Sequence, residues 1–260
     1  ISPHDHNRVY VGSQYVSVTT DGGNSWTDIS PDLTLNLKDH QQNSGGVATD
    51  NLMTYDGSLL FSIDESPVEE GVIWVGTDDG NVQMTRDGGR NWTLVGDNIP
   101  DNPEYWVSRV EASKHEPGTA YVSFTGMRRD DFRAFVFKTT DFGQSWTDIT
   151  ANLPEEPVNV IQAHHQNPHL LFVGTDFAVY VSVDGGGSWT KMKNNMPTNP
   201  AYDLKVHPRE NDLVLGTRRN GEMAPRSMRK RHRHFLEPLQ TALSRRFFDF
   251  RVSDVRCGFR

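Results

Sequence analysis

Thr139-Thr140-Asp141-Phe142-Gly143-Gln144-Ser145-Trp146-Thr147 is one of four copies of a single pattern in this 260-residue chain. The others are Thr19-Thr20-Asp21-Gly22-Gly23-Asn24-Ser25-Trp26-Thr27, Thr85-Arg86-Asp87-Gly88-Gly89-Arg90-Asn91-Trp92-Thr93 and Ser182-Val183-Asp184-Gly185-Gly186-Gly187-Ser188-Trp189-Thr190. The shared form is Ser/Thr-x-Asp-x-Gly-x-Ser/Asn-Trp-Thr, with aspartates 66, 54 and 43 residues apart. Self-similarity of this kind marks a repeat architecture. Each residue type has a physical reason. An aspartate opening a tight turn accepts hydrogen bonds from backbone N–H groups a few residues on. Glycine two positions later takes a positive φ without a Cβ clash. The tryptophan opens the next strand and is expected to bury its ring beside the turn. Asp21, Asp87, Asp141 and Asp184, with Gly23, Gly89, Gly143, Gly186 and Trp26, Trp92, Trp146, Trp189, therefore read as structural hairpin tips. Recurrence in every unit argues against catalysis or metal binding, because an active site normally occurs once.

Outward from each turn the residues alternate with period two, as half-buried strands do. The clearest unit runs Asn159–His164, Leu170–Thr175, Val179–Ser182, the turn, and Trp189–Met192. Four short strands in about 40 residues make a propeller blade. The same order spans Leu59 to Val95 and Trp106 to Ile149; a first unit keeps Arg8–Ser13, and a fifth holds Ala201–Val206 and Leu213–Thr217. The expected fold is all-β, a partial β-propeller of about four and a half four-stranded blades over residues 1–217. Ile1 stands in mid-pattern, so the chain reads as a piece of something longer.

Charge divides the chain. Residues 1–217 carry 14 Lys and Arg against 30 Asp and Glu, whereas residues 218–260 carry 12 against 4 and only 2 of the 22 glycines. The acidic body would repel nucleic acid and anionic lipid, and the basic tail would attract both. Apolar runs of five or six residues are too short to cross a bilayer as helices. The single Cys257 excludes an internal disulfide framework and a Cys-rich zinc site. No Gly-rich phosphate loop opens a helix, and no Gly-x-Ser-x-Gly elbow occurs.

The turn pattern is that of the Asp-box or BNR repeat, which the chain shares with sialidases, sortilin-type ectodomains, xyloglucan-hydrolysing glycosidases and photosystem assembly factors. Gly71-Val72-Ile73-Trp74-Val75-Gly76-Thr77-Asp78-Asp79-Gly80-Asn81-Val82-Gln83, and Pro157–Ile161 with Leu171–Thr175, resemble bacterial sortilin-like (VPS10-type) BNR-repeat proteins. The resemblance covers about residues 1–217 and implies the propeller and a secreted or periplasmic home. Such proteins continue after Gly216-Thr217 with His-Gly-Arg-Gly; here Arg218-Arg219-Asn220-Gly221 follows. Residues 218–260 are thus expected to be a basic tail of unrelated composition, frameshifted or disordered. Translating the encoding DNA in the other two frames checks the first alternative.

Function is weighed between two classes. A binding scaffold would use rim loops on a rigid frame. The long polar insertion from Leu35 to Ser58, with Asn43, Asp50 and Asp56, is one candidate surface, and Gly126–Phe132, with Arg128, Arg129 and Phe132, is the second. The partner would be a protein, peptide or glycan, together with the remaining blades of the parent chain. A glycoside hydrolase would instead need two carboxylates across a cleft, and Asp64, Glu65 and Glu111 are the candidates, with Trp74, Tyr105 and Trp106 as sugar-stacking faces. No cofactor is implied. His4 and His6, or His164 and His165, lack the further carboxylate a metal site needs, and Asp78-Asp79-Gly80-Asn81 reads as another hairpin tip rather than a calcium loop. The basic run Met228–His234 and a short amphipathic helix over Phe235–Phe250 are expected within the tail.

Overall fold

The computed structural model describes residues 1–38, 58–193 and 198–217, and the backbone of 252–254. It contains five blades in chain order, antiparallel throughout except for β18. Blade one has β1 (Val9–Gly12), β2 (Val16–Thr19) and β3 (Thr27–Asp28). Blade two has β4 (Leu60–Glu65), β5 (Ile73–Thr77), β6 (Val82–Thr85) and β7 (Thr93–Leu94). Blade three has β8 (Trp106–Ala112), β9 (Ala120–Gly126), β10 (Asp131–Thr139) and β11 (Thr147–Asp148). Blade four has β12 (Val158–Ala163), β13 (Leu171–Thr175), β14 (Val179–Ser182) and β15 (Thr190–Lys191). Blade five pairs β16 (Ala201–Val206) with β17 (Leu213–Thr217), and β18 (Val252–Asp254) lies parallel to β17, where the other blades place an antiparallel third strand. The chain is a partial β-propeller, as the repeat implies. Its tail, apart from β18, lies outside the described residues, including Met228–His234 and Phe235–Phe250.

Within blades two to five the strands follow sequence order from the inner strand outward, and blade one begins at the second-strand position with β1. The inner strands β4, β8, β12 and β16 stand side by side along the central channel. Between blades lie sandwiches of apolar side chains: Val72, Trp74 and Met84 against Val107, Val122 and Phe124, then Tyr121 and Val136 against Ile161 and Val173. The repeated Val-Gly-Ser/Thr of the second strands has a packing reason. A Cβ on Gly12, Gly76 or Gly174 would stand 2.8 Å from Leu60 Cβ, 2.2 Å from Val107 Cγ1 and 2.8 Å from Ala201 Cβ respectively. Each of these neighbours sits on the inner strand of the next blade, so the missing side chain sets how closely successive blades approach.

The four repeated turns each join the last two strands of blades one to four. In blade three the Thr139 hydroxyl donates to Asp141 Oδ1 (2.8 Å) and accepts the Gly143 N–H (2.9 Å). Asp141 then accepts the Ser145 N–H (2.9 Å) and hydroxyl (2.6 Å). The same bonds form around Asp21, Asp87 and Asp184. Donors from the residue four positions on, chiefly its side chain, hold Asp21, Asp87 and Asp184 down at about 2 and lower Asp141 as well. Every constrained position except the last thus has a bonding partner inside the turn or across a blade junction.

That junction is made by the tryptophan. Trp92 Nε1 donates to Ile29 O (2.9 Å), Trp146 Nε1 to Val95 O (3.1 Å) and Trp189 Nε1 to Ile149 O (2.8 Å). Each acceptor lies three residues after the tryptophan of the preceding blade. The turn glycine seats on the same residue, since a Cβ on Gly89, Gly143 or Gly186 would come within 2.9 Å of the Cβ of Ile29, Val95 or Ile149. Burial of the tryptophans is accordingly graded. Trp146 and Trp189 are 6% and 4% exposed, and Trp92 is half-buried. Trp26 corrects the expectation: it is 45% exposed, because no preceding blade lies among the described residues to receive it.

Candidate functional site

Strand direction sorts the connections onto two faces. The Asp turns share one face with the turns that follow the inner strands, to which they bond: Gly88 N to Gly71 O, Phe142 N to Gly118 O and Gly185 N to His169 O. The opposite face collects the starts of the inner strands, the hairpins between second and third strands, and both ends of the long insertion. That loop face carries the candidate binding residues. Asn43, Asp50 and Asp56 lie outside the described residues. The insertion's two ends are fixed by the β5–β6 hairpin, where Asp79 Oδ2 accepts Leu35 N–H (2.8 Å) and Asp78 Oδ1 accepts Leu59 N–H (2.8 Å). These two buried aspartates, part of the calcium-loop lookalike, therefore anchor the backbone.

The second loop forms a single 3-10 turn, Met127–Arg129, between β9 and β10. The Arg128 guanidinium carbon stands 3.5 Å from the centre of the Trp106 ring, and that of Arg129 is 5.8 Å from the Tyr105 ring. Phe132 is exposed, as is Met127. Tyr105 donates to Asp131 Oδ2 (3.1 Å), whose carboxylate is held near 2 by its pairing with Arg133. Phe61 of blade two meets Trp106 edge-on at 4.5 Å. The structure thus brings Arg128, Tyr105 and Trp106 together on blade three. Trp74, in contrast, is fully buried and packs on Trp146, so it offers no face to a ligand.

The three acids lie at blade junctions. Glu65 accepts Gly71 N–H (3.0 Å) and the Tyr10 hydroxyl (3.2 Å) from blade one. Glu111, buried, accepts the Lys114 ammonium, the Gln162 side-chain amide and, more distantly, Ala163 N–H (3.4 Å) of blade four. Asp64 is half-buried on the channel wall, and its Oδ2 accepts Ala112 N–H (2.8 Å) from blade three. Enclosure of its carboxyl, and then the nearby Glu111 charge, push Asp64 up to about 7. The strand registers place Asp64, Glu111, Gln162 and Lys205 at equivalent positions, one per blade.

The histidines are junction groups too. His4 Nε2 bonds Ser66 O (2.8 Å) and His115 Nε2 bonds His164 O (2.9 Å), each reaching the next blade. His164, stacked on His165 at 4.7 Å, is pushed down to about 4 by burial and by its neighbouring histidines. Among the described residues no three His, Cys, Asp or Glu side chains gather as a metal site.

Two features escape sequence reading. First, all four inner strands carry a register shift at the same height, between Leu60 and Ser62, Val107 and Arg109, Val158 and Val160, and Ala201 and Asp203. Each β-bulge leaves an extra residue (Phe61, Ser108, Asn159 or Tyr202) at the loop-face end of the channel, and bulges re-aim side chains. Phe61 is 54% and Tyr202 45% exposed. Second, Arg109 of blade three bonds Asp203 of blade five at 2.6 Å, reaching past blade four.

Blades of four strands wound in sequence order, fastened by Asp turns and tryptophans, define a β-propeller of the Asp-turn class. The family described as "Sortilin, neurotensin receptor 3," matches residues 134–247. No curated protein matches the chain. Among solved structures it is similar to an ancestral GH74 enzyme (18% identity, TM-score 0.55, 75% of this chain and 24% of that one). It is also similar to the GH74 xyloglucanase from Xanthomonas campestris (19%, 0.51, 75% and 29%). A third is the extracellular domain of a one-component system from B. thetaiotaomicron (13%, 0.51, 81% and 24%). At these identities the likeness shows the fold, and the chain spans about a quarter of each structure's length. The fold is that of a β-propeller, and over residues 134–247 the chain is similar to the sortilin family.

Proposed function

We propose that this propeller is a non-catalytic binding module whose loop face holds a protein, peptide or glycan ligand. The observation that carries the reading is the use made of the acids. Glu65 and Glu111 are buried and bonded across blade junctions, and Asp64 receives an N–H from the next blade. Carboxylates so engaged fasten strands rather than face each other across a substrate. The repeated Asp turns belong to the same structural role. Aromatic and cationic groups (Phe61, Trp106, Arg128, Arg129 and Phe132) gather instead on the exposed loop face, where rigid frames present binding residues. A secreted or periplasmic location fits the sortilin likeness and a structural neighbour described as an extracellular domain. Among the described residues no helix is long and apolar enough to cross a membrane. Residues 218–260 differ from this body in charge and composition, while the family match runs on to residue 247 and β18 pairs with β17.

One observation favours the second reading, a glycoside hydrolase: Asp64 at about 7, beside Glu111, has the raised value a general acid requires. Incubation with β-glucans, xyloglucan and sialosides, read by released reducing sugar, separates the two. The binding module releases none. Turnover that disappears in Asp64→Asn or Glu111→Gln, with the melting temperature unchanged, would establish the enzyme.

A further inference from the structure

In blades two to four the outer edge of the second strand is filled by an antiparallel neighbour, β6 on β5, β10 on β9 and β14 on β13. Blade five departs from this plan. Its second strand β17 takes β18 in parallel, with Leu213, Val214 and Leu215 registered on Val252, Ser253 and Asp254. The sequence accounts for the departure. An antiparallel return would have to follow Thr217 at once. Asn220-Gly221 suits the turn, but Pro225 stands where the chain would come back and has no N–H for a ladder. A parallel strand instead needs a crossover of about a dozen residues or more, and 34 separate Thr217 from Val252. Phe248-Asp249-Phe250-Arg251-Val252-Ser253 alternates apolar and polar residues strictly, the pattern of a half-buried strand. Charge favours the same docking. Residues 218–260, with 12 Lys and Arg against 4 Asp and Glu, are attracted to a body with 14 against 30.

We propose that the outer edge of β17 is a strand-docking site whose occupant is the chain's own segment around Val252–Asp254. An edge strand presents a row of N–H and C=O groups that will pair with another extended chain, and repeat arrays cap their terminal units for that reason. Here the cap is a strand delivered from downstream, and it ends the sheet of blade five at β18. Affinity in such a pairing comes from main-chain hydrogen bonds, and alternate side chains set the register. The site is separate from the loop face: β16 lines the channel, and β17 offers its other edge to β18 on the outer side of the blade. Vacated, that edge would take the same segment from a second copy.

The test uses the 260-residue chain. Val214 and Ser253 are registered partners, and residues so paired lie within the Cα reach of a disulfide. In a Cys257→Ser background, Val214→Cys with Ser253→Cys should close an internal disulfide under mild oxidation. It should do so roughly tenfold or more faster than Val214→Cys with Ser244→Cys, because docking raises the effective concentration of the paired thiols. Equal rates would describe an untied tail and overturn the proposal. A bond formed only between two copies would overturn the own-chain occupant. A second variant opens the edge. Successive N–H groups alternate sides along a strand, so Ser253→Pro with Asp254→Pro removes a donor to β17 in either phase. All six tryptophans lie in residues 1–217, so tryptophan-fluorescence melting reports the blades alone and should hold. Light scattering should then show concentration-dependent association beyond that of the unmodified chain, and a synthetic peptide of residues 247–256 should reverse it. No added association, or no reversal by the peptide, would refute the docking site.

Discussion

Gly143→Ala and Gly23→Ala make the same chemical change at the same place in two turns, and the structure assigns them different costs. Both glycines have positive φ, +77° and +89°. An alanine there carries a left-handed penalty of about 1 to 2 kcal/mol in either turn. At Gly23 the new Cβ meets nothing nearer than the Trp26 ring at 3.7 Å. At Gly143 it would stand 2.7 Å from Val95 Cβ and 2.9 and 3.0 Å from the two Val95 methyls. Val95 is buried, and its backbone is held by Trp146 and by Val82. Forcing a methyl into such a seat adds about 1 to 3 kcal/mol. Gly143→Ala should therefore cost about 2 to 5 kcal/mol, and Gly23→Ala about 1 to 2. Urea unfolding followed by tryptophan fluorescence reads both. A double-mutant cycle isolates the contact: in a Val95→Ala background, which removes the two methyl clashes and keeps the Cβ one, the extra cost at Gly143 should fall measurably. Equal costs at the two glycines, or simple additivity with Val95→Ala, would refute the blade-to-blade seat.

The tryptophans give a parallel series: Trp146→Ala or Trp189→Ala should cost about 3 to 5 kcal/mol, and Trp26→Ala no more than about 1, measured in the same urea titrations. Asp141→Ala should cost about 1 to 3 kcal/mol by stranding the donors of its turn, with any ligand binding lost only in step with melting. The pH profile has two limbs. Asp64, raised in the folded state to about 7, binds its proton more tightly folded than unfolded. Stability should thus decline as pH climbs from about 4 to 7, by at most about 4 kcal/mol. Asp64→Asn should flatten that decline in thermal melts at pH 5 and 8, and an already flat wild-type profile would contradict it. The turn aspartates are lowered instead, so their contribution is whole above about pH 4 and is lost as pH falls toward 2.

The blades were legible because their determinants are local. Thr139, Asp141, Gly143 and Ser145 satisfy one another within seven residues, so pattern and partner coincide in sequence. Trp26 was misread because its burial depends on a neighbouring blade, and a local pattern is the same with or without one. Phe61 and Tyr202 were passed over for a different reason. A one-residue bulge is a property of two strands paired in register, and period two in a single strand cannot reveal it. The acids show a third limit. Asp64 and Glu111 look like any strand acids until the next blade delivers Ala112 N–H and the Gln162 amide to them.

The direction of the tryptophan bonds governs how such an array is born. Trp92, Trp146 and Trp189 all reach toward the amino terminus, to carbonyls of Ile29, Val95 and Ile149. On a ribosome each acceptor exists before its donor is made. Every new blade therefore closes onto one already synthesised, and the array grows like masonry, each course keyed into the last. The unkeyed surface at any moment is the newest blade, where a chaperone would be needed, while the older courses stand sealed behind it.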